Sequence, residues 1–176
     1  MDRQGRIVTA LTYGAPSVWT FLPAVRRVGA VRTLGTILAA AVVIGVIYVL
    51  LVRMRDLTRE TVVTVAALFA ILVPFLLPGM HERYFFLADV LTVVLAVYRP
   101  RLWFVPLLVQ ASSLLSYLPY LFGNSAPPRT VAAALMLAAL LAVGRALMVD
   151  AFVANRPIPH VGDKAIHLGD QPSNEP

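Results

Sequence analysis

The sequence contains no cysteine, and only 14% of its 176 residues are charged. The absence of cysteine excludes disulfide bonds, thiolate metal sites and a cysteine nucleophile. Soluble proteins carry roughly 25% charged residues, whereas here 59% of the residues are apolar. A soluble globule of this length could not bury so much apolar surface. The composition therefore predicts a multi-pass membrane protein.

Several motifs of soluble enzymes and nucleic-acid-binding proteins are also missing. The sequence has no Walker loop, no dinucleotide-binding fingerprint and no His-Glu-x-x-His pattern. The net charge of +6 would suggest a nucleic-acid partner in a soluble protein, but these arginines lie between apolar runs. We therefore interpret the charge as setting membrane topology and contacting lipid headgroups, and we expect membrane lipid and no nucleic acid as a partner.

Five apolar runs predict membrane-spanning helices, because about 20 apolar residues in helical form cross a bilayer core of about 30 Å. The third run is short and contains Asp89, so we expect it to be tilted into the bundle or shielded from lipid. The brief loops between the runs force neighbouring helices to be antiparallel. The sequence thus predicts an all-α polytopic bundle of about five spans. These runs are 33–52, 61–78, 84–98, 102–122 and 131–149.

The two ends of the chain differ from this bundle. Residues 1–32 are apolar but interrupted by Gly14, Pro16 and Pro23, which favours an interfacial or re-entrant segment, with a sixth kinked helix as the alternative. Residues 150–176 are polar and rich in proline, which predicts a disordered tail. We therefore expect three regions, 1–32, 33–149 and 150–176.

The distribution of basic residues predicts the orientation. The loops after the first, third and fifth runs are rich in arginine, whereas the opposite loops contain only Arg83 and Arg129. The basic residues of the N-terminal segment make the two sides equal in number, so the interpretation rests on the internal loops. By the positive-inside rule, the Arg83 loop is extracytoplasmic and the C-terminal tail is cytoplasmic.

Three consecutive ionisable residues, His81, Glu82 and Arg83, occupy a short loop between two apolar runs. We expect the third helix to begin near Glu82, which places the cluster at a helix N-terminus that favours anions. Arg83 offers a planar fork that matches phosphate oxygens, and His81 can donate to a phosphate or transfer a proton. Glu82 can orient either neighbour. The alternative is a capped turn with an internal Glu–Arg pair.

Polar residues inside the predicted spans need partners or a function. Asp89 follows Glu82 by seven residues, so on a helix both face the same way. Its carboxylate is either functional or paired with an arginine of a neighbouring helix. Four polar residues suggest hydrogen bonds between helices, with the lining of a substrate groove as the alternative: Gln110, Ser112, Ser113 and Ser116. Arg145 is interpreted as extending its charge to the membrane surface.

The stretch Met80-His81-Glu82-Arg83-Tyr84, followed by an apolar helix, resembles a late motif of bacterial integral-membrane glycosyltransferases of the GT-C fold. In style it is most similar to mannosyltransferases related to the GPI-anchor enzymes, which use sugars carried on polyprenyl phosphate. Residues 11–19, which end in Trp19, look like that family's Asn-Ala-x-Asn-x-Trp segment. Gly14 and Ser17 stand where the family tends to have asparagine.

The resemblance implies transfer of a sugar, with mannose as the first candidate, from a polyprenyl-phosphate donor to an extracytoplasmic acceptor at the bacterial cytoplasmic membrane. It implies no cofactor and leaves the question of a divalent metal open. The lipid phosphate would be bound by His81 and Arg83. Supporting or orienting roles would fall to Glu82, Tyr84 and Asp89, and Trp19 is the candidate for a substrate groove.

The resemblance also predicts that this chain supplies no catalytic residue. The family's catalytic acid lies in a first extracytoplasmic loop with an Asp-Asp or Asp-Glu pair, for which this sequence has no counterpart. The chain therefore looks like the C-terminal portion of such an enzyme. Two other classes remain open: a non-catalytic partner of a separate N-terminal half, and a small lipid-phosphate carrier or transporter component in which Asp89 titrates.

Overall fold

The structure is a computed structural model that describes residues 14–22, 28–53, 58–122 and 129–153. These residues form five α-helices and three short 3-10 helices, and they contain no β-strand. The predicted all-α bundle is therefore confirmed. The α-helices are α1 (Val28–Arg53), α2 (Arg59–Leu76), α3 (Phe86–Tyr98), α4 (Phe104–Phe122) and α5 (Arg129–Val153). The 3-10 helices are Val18–Phe21, Glu82–Phe85 and Pro100–Leu102.

The chain is a membrane protein, because α1, α2, α4 and α5 are each long and apolar enough to cross a bilayer. The helix α3 has 13 residues, which gives a length of about 20 Å against a hydrocarbon core of about 30 Å. The short third run of the sequence thus forms a short helix. It packs between α2 and α4.

The core is formed by α2, α3, α4 and α5, and α1 lies at its edge. Among the largest fully buried side chains are Phe75, Phe85 and Met136, which lie on or beside three of these helices. In contrast, only 11% of the apolar part of α1 is buried within the chain. Most of α1 is therefore available to lipid or to another membrane protein.

The buried hydroxyl groups of the α-helices are satisfied as a membrane interior requires, where no water can replace a missing partner. Outside these helices, the buried Ser17 Oγ has no hydrogen-bond partner among the described residues. Thr64 and Thr92 each donate to a carbonyl one turn earlier in their own helix. Ser112 of α4 donates to the Ala132 carbonyl of α5 over 2.7 Å. The predicted hydrogen bond between helices is thus present at Ser112. The prediction is wrong for Ser116, whose hydroxyl donates to the Ser112 carbonyl of its own helix.

Because consecutive helices are antiparallel, the bundle has two ends with different contents. We call the end that carries residues 77–85 and the start of α1 the His81 end. The opposite end carries the start of α2 and the ends of α3 and α5, and we call it the Arg99 end.

At the His81 end, residues 14–22 pack against α2 and α5 through the 3-10 helix Val18–Phe21. The indole N–H of Trp19 donates to the Leu76 carbonyl over 2.7 Å, and its ring lies against Gly35 of α1. These nine residues contain no α-helix. Residues 1–13 and 23–27, which the predicted interfacial segment also includes, lie outside the described residues. The helix α1 begins at Val28, five positions before the predicted run.

The C-terminal helix extends beyond its predicted end. The helix α5 continues to Val153, whereas the sequence predicted a tail that begins at residue 150. Asp150 is held by a hydrogen-bonded ion pair with Arg99, which fixes the last turn against the end of α3. The remainder of the predicted tail, 154–176, lies outside the described part of the chain.

Replacing Gly35 with alanine should displace Trp19, because a Cβ there would lie 2.3 Å from the indole ring. We expect a loss of about 1–3 kcal/mol in unfolding free energy, as for other overpacked sites. Gly45→Ala is the matched control, since nothing lies within 4 Å of a Cβ at that position of the same helix. Trp19 fluorescence, measured in a Trp103→Phe background, should shift to longer wavelength only for Gly35→Ala. An equal spectrum for both variants would contradict the packing described.

Candidate functional site

The ionisable cluster of His81, Glu82 and Arg83 follows a turn formed by a proline and a glycine. Pro78 has no N–H with which to continue α2, and Gly79 has a φ of +77°, which favours glycine. Glu82–Phe85 then form a 3-10 helix, and α3 begins only at Phe86. Helical structure therefore begins at Glu82, as the sequence predicted, but its first turn is a 3-10 helix and the α-helix starts four residues later.

The fold brings together two segments that are far apart in the sequence. Gly14 pairs with His81 in an isolated antiparallel β-bridge. The residues that follow Gly14, from Ala15 to Ser17, are buried. Gly14 belongs to the stretch 11–19 and His81 to the stretch 80–84, the two stretches whose sequences resemble motifs of one enzyme family. Their described residues lie side by side at the His81 end.

A further arginine joins the turn. The guanidinium of Arg32, in the second turn of α1, lies so close to Gly79 that a Cβ there would be 2.8 Å from Nη2. Gly79 is thus required both by its backbone conformation and by the space that Arg32 occupies. In the sequence Arg32 is only one of several arginines near the N-terminus. No local pattern indicates that it reaches a turn more than forty residues later.

The side chains of the cluster differ in their exposure to solvent. Arg83 and Tyr84 are exposed, whereas His81 and Glu82 are half-buried. The rings of His81 and Tyr84 meet edge to face, with centroids 6.2 Å apart. One carboxylate oxygen of Glu82 is buried and has no hydrogen-bond partner among the described residues.

The predicted Glu–Arg pair inside the turn is not formed. Within the part of the chain that the structure describes, Glu82 and Arg83 take part in no ion pair, and the ion pairs all involve Arg99. The guanidinium of Arg83 is therefore available to an external anion. The alternative interpretation of the cluster as an internally paired turn is wrong.

Asp89 has a different partner from the one predicted. Ser113 of α4 donates to its Oδ1 atom over 2.8 Å, and no arginine pairs with it among the described residues. Tyr117, one turn further along α4, lies within electrostatic range of Glu82, Arg83 and Asp89. Asp89 thus lies between α3 and α4 on the side of the bundle that faces the cluster.

Trp19, the candidate for a substrate groove, lies between α1 and the end of α2. Its contacts with Leu76 and Gly35 are structural, and its contact with substrate stays a prediction. The described residues offer no group of three or more His, Asp or Glu that could hold a metal ion. Arg32 and Arg83 bring positive charge to the His81 end, and arginine binds phosphate oxygens in a two-point fork.

Comparisons of the chain with models of known protein families, with curated proteins and with solved structures find no match.

Removing the Ser113 hydroxyl should destabilise the bundle, because the Asp89 carboxylate loses its hydrogen-bond partner. For Ser113→Ala we expect a loss of about 1–3 kcal/mol in unfolding free energy, the usual cost of an unsatisfied buried polar group. Ser116→Ala is the control on the same helix, since its hydroxyl only donates to the Ser112 carbonyl one turn earlier. Denaturant unfolding in detergent micelles measures both. Equal losses would show that the Asp89 contact contributes nothing specific.

Proposed function

We propose that this chain is the C-terminal portion of a membrane glycosyltransferase, whose His81 end binds the phosphate of a polyprenyl-phosphate sugar. The single observation that carries the proposal is the bridge between Gly14 and His81. It joins the two segments whose motifs resemble the same enzyme family. Both motifs would be expected to share one site in such an enzyme.

The charges of the His81 end suit a phosphate. Arg83 is exposed and has no ion pair among the described residues, and Arg32 lies against the same turn. A phosphate diester that enters from the membrane would meet two guanidinium groups and the His81 imidazole. Charge-assisted hydrogen bonds of this kind are about twice as strong as neutral ones.

In the proposed reaction, the bond between the anomeric carbon of the sugar and the phosphate oxygen breaks. The acceptor oxygen forms the new bond to that carbon, and its proton passes to a carboxylate. The departing polyprenyl phosphate gains one negative charge, which Arg83 and His81 stabilise. Glu82, Tyr84 and Asp89 support these groups, and the first candidate for the sugar is mannose.

The carboxylate that accepts the proton is assigned to no residue of this chain. By the resemblance it would lie in an N-terminal extracytoplasmic loop of the family. The proposed location is the bacterial cytoplasmic membrane, with the His81 end extracytoplasmic and the C-terminal tail cytoplasmic. Among the loops between the spans, the Arg99 end carries Arg53, Arg59, Arg99 and Arg101 and the His81 end carries Arg83 and Arg129, which supports this orientation.

A second candidate function is that of a non-catalytic partner of a separate N-terminal half. The large exposed surface of α1 favours it, because that surface could bind another membrane protein. Purification from native membranes distinguishes the two. Co-purification of a second polytopic protein would support the partner, whereas a native mass well above 19.1 kDa would support one longer enzyme.

The phosphate site can be tested without the missing acid, by binding alone. We expect Arg83→Ala to weaken binding of polyprenyl phosphate to the full chain in nanodiscs by about tenfold or more, because one charged hydrogen-bond donor is worth about 1.5–3 kcal/mol. Arg129→Ala is the control, since Arg129 also lies at the His81 end but outside the turn. Binding can be followed by native mass spectrometry.

Equal affinity of Arg83→Ala and the unaltered chain would contradict the phosphate site. Transport of polyprenyl phosphate across vesicles, without sugar transfer by the assembled enzyme, would instead identify a carrier. In an active assembly, Arg83→Ala should nearly abolish sugar transfer.

A further inference from the structure

A cavity of about 750 Å³ lies at the Arg99 end, opposite the proposed sugar-lipid site. It is a partly open cavity lined by the start of α2, the end of α3, the 3-10 helix Pro100–Leu102, the start of α4 and the end of α5. Its volume falls within the range of about 300–1,000 Å³ that is typical of small-molecule sites. Because it is formed at the ends of four helices, it lies where the bilayer meets water.

Arg99 organises the charged wall of this cavity. Its Nη2 atom is bound to the Asp150 carboxylate, and its Nε atom lies 3.9 Å from Glu60 Oε2. The side chain of Arg99 is 18% exposed, and its ion pair with Asp150 holds the half-buried guanidinium in place. Its Nη2 atom is therefore used by the protein itself, whereas its Nε atom has no hydrogen-bond partner among the described residues.

Two other arginines line the same cavity and remain available. Arg101 and Arg145 are exposed, and neither has an ion pair or a hydrogen bond with any residue in 14–22, 28–53, 58–122 or 129–153. With Arg99 they give three positive charges against Glu60 and Asp150. The cavity thus has an excess of positive charge on its two free guanidinium groups.

The remaining wall is apolar and continuous with the surface of the bundle. Phe104 and Val149 line the cavity and are also exposed on α4 and α5. Arg145 lies five residues before Asp150, which places it about 7.5 Å deeper along α5 at 1.5 Å per residue. Tyr98 at the cavity and the neighbouring Trp103 are exposed aromatic residues, which is typical of the membrane boundary.

We infer that this cavity binds an anionic phospholipid, with Arg101 and Arg145 holding the headgroup phosphate. The acyl chains lie along Phe104 and Val149, where the apolar wall meets the bilayer. A free phosphate ion would use the arginines but gain nothing from this wall, which is why the site favours a lipid. The inference does not depend on the proposed transfer reaction, because the two sites lie at opposite ends of the bundle.

The test uses the full chain, with phosphatidylglycerol as the probe in nanodiscs that also contain phosphatidylcholine. Native mass spectrometry after release into detergent counts the phosphatidylglycerol molecules that remain bound. We expect Arg101→Gln combined with Arg145→Gln to weaken retention by about tenfold or more, from the loss of two charged donors. Arg101→Gln alone should give an intermediate loss.

The matched control for Arg101→Gln alone is Arg59→Gln, which also removes one charge at the same end, from a residue that does not line the cavity. Retention should be unchanged in this control. An equal loss in the control would mean general attraction of anionic lipid and would overturn the site. Displacement of phosphatidylglycerol by inorganic phosphate at a comparable concentration would overturn its assignment to a lipid.

Since Arg101 and Arg145 are exposed and unpaired within the described chain, the double variant should keep the thermal stability of the unaltered protein. Unaltered retention in a stably folded double variant would also overturn the inference.

Discussion

The contact of Trp19 with the end of α2 is the interaction on which the His81 end depends. Helix termini leave carbonyl groups without partners, and a membrane protein has little water with which to satisfy them. The indole N–H supplies a donor to the Leu76 carbonyl, while its ring fills the space above Gly35. One side chain thus joins residues 14–22 to two helices. This brings Gly14 to His81 and supports the packing of α1, from which Arg32 reaches Gly79.

The bundle contains both paired and unpaired arginines. At the Arg99 end, Arg99 is half-buried and pairs with Asp150 and, at 3.9 Å, with Glu60, because a guanidinium partly removed from water needs compensating charge. At the His81 end, Arg83 stays exposed and unpaired among the described residues, although Glu82 is its direct neighbour. A paired arginine holds elements together, whereas an unpaired one is available to an anion. This difference separates structural from binding arginines in a chain with few other charges.

Asp89 shows how the bundle accommodates a carboxylate in its short helix. It lies in the first turn of α3, which keeps it near the membrane boundary, where a charge costs less than at the bilayer centre. A neutral donor, Ser113, then suffices in place of an arginine. Thr64 and Thr92 also bond to uncharged partners, since each hydroxyl donates to a backbone carbonyl of its own helix.

The lengths of the apolar runs are a local property, and they were sufficient to predict five helices, the short α3 and the stop at Pro78 and Gly79. The partners of the polar residues were not predictable in this way. Arg99 pairs with a residue 51 positions away in the sequence, and Asp89 with one 24 positions away. Gly14 and His81, which form the β-bridge, are 67 positions apart. Hydrophobicity fixes which segments enter the membrane, whereas such pairs depend on the rotation and height of each packed helix. Only tertiary packing sets those two quantities, and it therefore decided which arginines are structural and which are free to bind.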